Sequence, residues 1–115
     1  MKRIIAVALF AFVSGSAFAE AQYGVEVYPG AKADEQVAKQ VKDKLKITAK
    51  TYRTSDPVSK VTDFYRKQNL TEAHASKKGA TFTSKAGATV TIQSPWLDMD
   101  SGKMNNDTLV SIVAK

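Results

Sequence analysis

The hydrophobic period changes along this chain, and that change restricts the fold more than any single motif does. In the first half, apolar residues recur at three- and four-residue spacing, which is typical of amphipathic helices. In the second half, threonine and apolar residues alternate, which is typical of strands. Helices that come early and strands that come late predict an α+β fold, in which two helices pack on one face of a mainly antiparallel sheet of about four strands.

Two amphipathic segments predict the two helices. The first is expected over residues 34–44, where the apolar side chains repeat every fourth residue and lysines occupy the opposite side. The second is expected over residues 57–68, with Asp56 as the N-cap and Pro57 at the first helical position. The apolar face of the first helix is formed by Val37, Val41 and Leu45.

The strands are predicted from alternation and from turn residues. Residues 24–29 indicate a short edge strand or an extended arm, and Ala86-Gly87 indicates the turn of a hairpin. The final strand has apolar residues on both faces, so we expect it inside the sheet. A long polar loop is expected over residues 94–107. The full strands are predicted over residues 45–54, 70–76, 81–84, 89–93 and 108–114.

The N-terminus has the pattern of an export signal. A basic start and an apolar run over residues 4–13 precede Ala17 and Ala19, which are small residues at positions −3 and −1 before Glu20. The run is about half the length that a bilayer-spanning helix needs. We therefore predict a signal peptide over residues 1–19 that is cleaved, and an exported protein in the periplasm or outside the cell. After cleavage, no integral membrane protein is expected.

The part that follows the predicted cleavage point, residues 20–115, is expected to form one α+β domain. It retains 15 basic and 11 acidic side chains, a net charge of +4, and the chain contains no cysteine. The absence of cysteine excludes disulfides, thiolate metal sites and cysteine nucleophiles. A chain of this length can still bury enough apolar surface to fold without disulfides.

Residue types that carry catalysis or metal binding are scarce. His74 is the only histidine, so a histidine-based metal site is not expected, and no nucleophile-elbow or glycine-rich phosphate loop is present. Asp98 and Asp100 begin a pattern that resembles a calcium loop, but Gly102 stands where that loop needs a third oxygen ligand. A solvated hairpin loop is the favoured interpretation, and a hard-cation site there stays open. No catalytic, cofactor-binding or metal-binding residue is predicted.

Two groups of residues are candidates for contacts with a partner. Lys39, Lys42 and Lys46 share one side of the first helix and could contact an anionic lipid surface or a polyanionic polymer, although lysine-rich helix faces are commonly only solvated. Nucleic acid is not expected as a partner, because aromatic residues do not interleave with the lysines. Tyr52 and Trp96 could line a ligand groove, and packing in the core is the favoured alternative for both.

Two segments together resemble a group of small, uncharacterised exported bacterial proteins. In that group a YPGA segment precedes a helix of the type TxDxVxxVxxFY. Here the first segment is Tyr28-Pro29-Gly30-Ala31, and the second begins at Thr54 and ends at Phe64-Tyr65. The resemblance covers about the first half of the part after the leader. It implies a self-contained α+β envelope domain and assigns no functional residue.

Export and the lack of a catalytic pattern together favour a binding role. We expect a non-enzymatic domain that binds another envelope component through its sheet or through the loop at residues 94–107. One alternative is a binder of a small ligand or an anionic surface that uses the lysine face of helix 34–46. A hydrolase of an unfamiliar type is a remote alternative.

Overall fold

The computed structural model of the protein describes residues 21–114. The predicted signal peptide lies outside the described residues, as do Ala17, Ala19 and Glu20 at its expected cleavage point. The described part contains two helices, α1 (Glu35–Leu45) and α2 (Val58–Arg66), and neither is long and apolar enough to cross a membrane. Its ten strands are β1 (Ala21–Gln22), β2 (Val25–Glu26), β3 (Lys32–Ala33), β4 (Ala49–Thr54), β5 (Thr71–Ser76), β6 (Gly79–Thr83), β7 (Thr89–Gln93), β8 (Trp96–Leu97), β9 (Met104–Asn105) and β10 (Thr108–Val113).

Six of these strands form the main sheet, in the order β3–β4–β10–β7–β6–β5. Every neighbouring pair is antiparallel, which confirms the α+β class, the two helices and the mainly antiparallel sheet. The expectation of about four strands was too low. The two outermost strands, β3 and β5, consist of exposed residues and therefore carry little hydrophobic pattern. β1 pairs with β2 and β8 pairs with β9 in two small separate sheets.

The two helices lie on opposite faces of the main sheet, so the prediction that they share one face was wrong. Successive residues of a strand point to opposite faces. Val110 of β10 belongs to a buried cluster with Val61 of α2, whereas its neighbour Leu109 belongs to a second cluster with Val37 of α1. The apolar residues on both faces of β10 are explained by this arrangement, because a helix packs above the strand and another packs below it.

The larger cluster lies on the α2 face of the sheet. It contains the side chains of α2 that point inward and the alternate residues of β6, β7 and β10, which are the apolar positions of the strand pattern. Gly79 in β6 lies so close to the carbonyl oxygen of Ile92 that a Cβ atom has no room there. The cluster includes Val25, Val27, Tyr28, Tyr52, Val58, Val61, Tyr65, Ala80, Phe82, Val90, Ile92, Val110 and Ile112.

The smaller cluster lies between α1 and the other face. Trp96, Leu109 and Val37 are its buried members, and Val41 packs against them. The Asp34 carboxylate accepts a hydrogen bond from the Val37 N–H at 3.0 Å, which caps the helix. The helix ends where Lys46 adopts a left-handed conformation at φ 59°. Leu45 was expected on the buried side, but it is 55% exposed, because the buried residues of α1 are Val37 and Gln40, earlier in the helix.

Several element boundaries differ from the predictions by a few residues, and the differences at the starts of α2 and β4 have local reasons. α2 begins at Val58, with Pro57 as an N-cap residue that has no side-chain hydrogen bond, so Asp56 does not cap the helix as predicted. The Asp56 carboxylate instead accepts a hydrogen bond from the hydroxyl of Tyr28 at 2.6 Å. β4 begins at Ala49 rather than at residue 45, because the alternating residues before it do not pair with another strand.

Candidate functional site

The segment at residues 28–31 and the segment at residues 54–65 pack directly against each other. The Tyr28 N–H donates a hydrogen bond to the Tyr65 hydroxyl at 3.0 Å, and the Tyr28 ring meets the Phe64 ring edge-on at 5.4 Å. Burial and the hydrogen bond to Asp56 raise the pKa of Tyr28 to about 12, and burial also raises the pKa of Tyr65. The aromatic residues of the motif therefore have a structural role, which joins the segment before β3 to α2.

Trp96 and Arg53 form a polar network on the opposite face. The indole N–H of Trp96 donates to Asp107 at 2.8 Å, and the Arg53 Nε donates to the other Asp107 oxygen at 2.7 Å. The guanidinium of Arg53 lies 4.9 Å from the centroid of the Trp96 ring and 3.3 Å from a carboxylate oxygen of Asp34. The hydrogen bond to Asp107 is the main cause of the raised pKa of Arg53. This network joins α1, β4 and the start of β10.

The two aromatic residues proposed to line a groove, Tyr52 and Trp96, are both buried. Trp96 is only 2% exposed, beneath Arg53, and Tyr52 is buried in the larger cluster. The two residues lie on opposite faces of the sheet, so the structure does not bring them together in one groove.

The three candidate lysines are exposed on α1 and at its end. Lys42 Nζ donates to the Thr48 hydroxyl at 3.4 Å, and within residues 21–114 none of the three takes part in an ion pair. Their neighbour Lys44 contacts Asp100 at 3.7 Å, which ties the helix to the turn between β8 and β9; these two short strands lie where a continuous polar loop was expected, over residues 94–107. The three exposed lysines form the lysine face of α1, composed of Lys39, Lys42 and Lys46.

The carboxylate of Asp98 is already occupied by the loop that contains it. One of its oxygens accepts the backbone N–H groups of Asp100 at 2.9 Å and Ser101 at 3.0 Å, and also the side-chain amide of Gln40 at 3.3 Å. These bonds, led by that of Ser101, lower the pKa of Asp98. Across the described residues, no group of three or more His, Cys, Asp or Glu side chains is placed to hold a metal ion.

The least covered region is one edge of the main sheet. β5 is the terminal strand, and all six of its residues are exposed, including His74 opposite Thr81. Its pairing with β6 is interrupted by a bulge between Glu72 and His74. We call β5 and the side of α2 that faces it the open edge; the residues of α2 concerned are Ser59, Thr62, Asp63 and Arg66.

A groove with a volume of about 400 Å³ runs between α2 and β5 at the open edge. Arg66 on its wall binds Asp63 at 3.2 Å and Glu72 at 2.9 Å, and the bond to Glu72 is the main cause of the raised pKa of Arg66. The Thr62 side chain is only 5% exposed, and its hydroxyl has no hydrogen-bond partner among the described residues. Buried polar groups are satisfied in the great majority of cases, so this hydroxyl is exceptional. β5 supplies Ala75 and Ser76, and the following turn supplies Lys77.

Sequence reasoning did not identify the open edge as a site. The one available signal was the weak alternation of residues 71–76, which are small or polar and leave both faces of the strand uncovered.

Comparison with protein-family models, with curated proteins and with solved structures gives no match.

Proposed function

We propose that the protein is an exported, non-enzymatic domain that binds another protein of the bacterial envelope at the open edge. The observation that carries this proposal is the exposure of β5, whose six residues end the sheet without a strand or helix beyond them in the described chain. A terminal strand presents a row of backbone N–H and C=O groups that a strand of another protein can pair with.

The opposite edge of the sheet supports the choice of β5. β3 at that edge has only two residues, Lys32 and Ala33, and a strand of that length offers few backbone groups. Very short edge strands are a known protection against pairing with other chains. The protein thus protects one edge by shortness and leaves a six-residue strand at the other.

A second candidate function uses the lysine face of α1. The exposure of Lys39, Lys42 and Lys46, and the absence of ion pairs to them within residues 21–114, favour contact with an anionic lipid or polymer. Salt-sensitive binding to anionic vesicles that is lost when the three lysines become glutamine would support this function in place of the first.

Site-specific crosslinking in living cells distinguishes the two functions. The full chain, with its leader, is expressed with a photo-reactive amino acid at Ala73 in β5 or, as the control, at Lys39 in α1. We expect one discrete protein adduct from position 73 and none from position 39, and the identified partner should bind the purified exported protein. A chain that yields no protein adduct at position 73, or an adduct only at position 39, contradicts binding at the open edge.

Export itself is tested by the N-terminus of the protein recovered from the periplasm. We expect it to begin at Glu20, and a sequence that begins well before Glu20 contradicts the proposed cleavage.

A further inference from the structure

We infer that the open edge binds an extended segment with acidic side chains, which adds as a strand beside β5 and places alternate side chains in the groove. This inference rests on the proposed function and specifies its partner chemically. Three independent features of the open edge support it: the backbone of β5, the groove beside α2, and the distribution of charge.

The hydrogen-bond pattern of the hairpin determines which backbone groups are available. Ser76 and Gly79 flank the two-residue turn between β5 and β6, so they form a hydrogen-bonded pair. Bonded and non-bonded pairs alternate along antiparallel strands, so the next pair, Ala75 with Ala80, is non-bonded. The N–H and C=O of Ala75 therefore point away from β6, toward the position that an added strand would occupy.

The groove matches the length and the side-chain period of such a strand. α2 has nine residues, a length of about 13 Å, which is also about the length of four residues of a strand. Every second side chain of the added strand would point to the α2 face and enter the groove. There the hydroxyl of Thr62, which has no hydrogen-bond partner within residues 21–114, lies just beneath the surface. Helical threonine commonly adopts two χ1 rotamers, and rotation from one to the other changes the direction in which the hydroxyl points.

The charge of the open edge favours acidic side chains in the partner. The nearby acids, Asp63 and Glu72, are both bound by Arg66. The lysines at its two ends are exposed and form no ion pair within residues 21–114; they are Lys77 and Lys78 in the β5–β6 turn, and Lys85 in the β6–β7 turn. A second copy of the chain would bring these lysines toward each other, so the edge favours a partner of opposite charge.

Defined peptides test the inference directly. Three labelled eight-residue peptides carry threonine at one set of alternate positions and glutamate, glutamine or lysine at the other set. Their affinities for the exported protein, purified from its own periplasm, are measured by fluorescence anisotropy at low and high salt. We expect the glutamate peptide to bind at least ten-fold more tightly than the lysine peptide, and high salt to reduce the difference.

Two sets of variants identify where the peptide binds. Replacing Lys77 and Lys78 by glutamine should weaken binding of the glutamate peptide at least three-fold, whereas the matched control, Lys50→Gln with Lys103→Gln at exposed positions away from the open edge, should leave it unchanged. Ala75→Pro removes the outward N–H without removing a bond to β6, and it should abolish binding of all three peptides. If Ala75→Pro does not fold, slower hydrogen exchange of the Ala75 amide in the unmodified protein with bound peptide tests the same contact.

The outcomes separate this inference from the proposed function. Equal binding of the three peptides, lost in Ala75→Pro, would overturn the acidic preference and leave strand addition supported. No binding of any peptide, together with a protein adduct at position 73, would overturn the inference and leave the proposed function standing. No binding of any peptide and no adduct at position 73 would overturn both the inference and the proposed function. The lysines and the bulge of β5 would then serve only to protect the edge from pairing with other chains.

Discussion

The two faces of the main sheet are covered in different ways. On the α2 face, alternate residues of β6, β7 and β10, together with Tyr52 of β4 and three buried apolar residues of α2, form one continuous apolar cluster. On the other face, α1 contributes a small cluster around Trp96, and much of the contact is polar, through Arg53, Asp34 and Asp107. On this second face, β6 and β7 present half-buried threonines instead, at positions 81, 83, 89 and 91.

This difference predicts that the two faces contribute unequally to stability. Burial of apolar area is the largest favourable contribution to folding, so the α2 face should account for most of the stability. The regions with less apolar packing, namely the α1 contact and the open edge, are then the ones that tolerate change. Four substitutions test this difference.

The largest expected effect is from Phe82→Ala on the α2 face. Phe82 is almost fully buried, and its truncation should reduce the free energy of unfolding by about 3–5 kcal/mol. Val41→Ala, in the half-buried rim of the α1 cluster, should cost about 1 kcal/mol. Urea unfolding followed by circular dichroism measures both, and equal losses would contradict the proposed difference between the faces.

Tyr28→Phe should cost about 1–2 kcal/mol at pH 7, because it removes the hydroxyl that donates to Asp56. The pKa of Tyr28 is raised in the folded state to about 12, from 10.0, so its contribution is complete below pH 10 and is lost as the pH rises toward 12. The difference in unfolding free energy between wild type and variant should therefore narrow over that range. Val58→Ala, which removes no titrating group, should keep a constant difference; if the Tyr28→Phe difference is also constant, the hydrogen bond does not explain its cost.

Arg53→Gln should cost about 1 kcal/mol, because it removes two ion pairs and the contact with Trp96. The Arg53 side chain is 39% exposed, so solvent screens these charges and 1 M salt should reduce the cost. Lys50→Gln in the same strand changes an exposed lysine that forms no ion pair within residues 21–114 and should have no measurable effect. A cost for Arg53→Gln that does not depend on salt would indicate packing, not charge.

The smallest expected effect is an increase in stability. Thr62→Val replaces the buried hydroxyl, which has no partner in the described part of the chain, by a methyl group of the same size, and should raise the free energy of unfolding by about 0.5–1 kcal/mol. Thr51 is equally buried, but its hydroxyl donates to the Asp34 carbonyl at 2.6 Å, so Thr51→Val should destabilise. Thermal unfolding of both variants compares them, and a loss in both would show that the Thr62 hydroxyl has a partner.

The helices and the longer core strands could be predicted from the sequence because each of them has its own hydrophobic period. The spacing of Val37 and Val41 indicated α1, and that of Val58 and Val61 indicated α2. The side of the sheet on which each helix packs depends on the path of the chain between elements, which no local period records. The apolar residues on both faces of β10 indicate an interior position, but they do not specify which helix covers which face.

The open edge was harder to predict for a different reason. All six residues of β5 are exposed, so the strand has no buried face to fill with apolar residues. A segment without a buried face has no strong hydrophobic period, and the period is the main signal for a strand. The isolation of the Thr62 hydroxyl depends on what surrounds it in three dimensions, and the sequence records only that a threonine follows Val61.

The position of β10 has a consequence for how the protein is made. This strand is the last in the described chain, yet it lies between β4 and β7 and is the only link between the two parts of the sheet. A chain that emerges N-terminus first, from a ribosome or from a translocation channel, therefore has no complete sheet until residues 108–113 have emerged. β10 pairs residues 108–113 with residues 49–54, which are far away in the sequence, and such pairing forms slowly because the long intervening segment must first be closed into a loop.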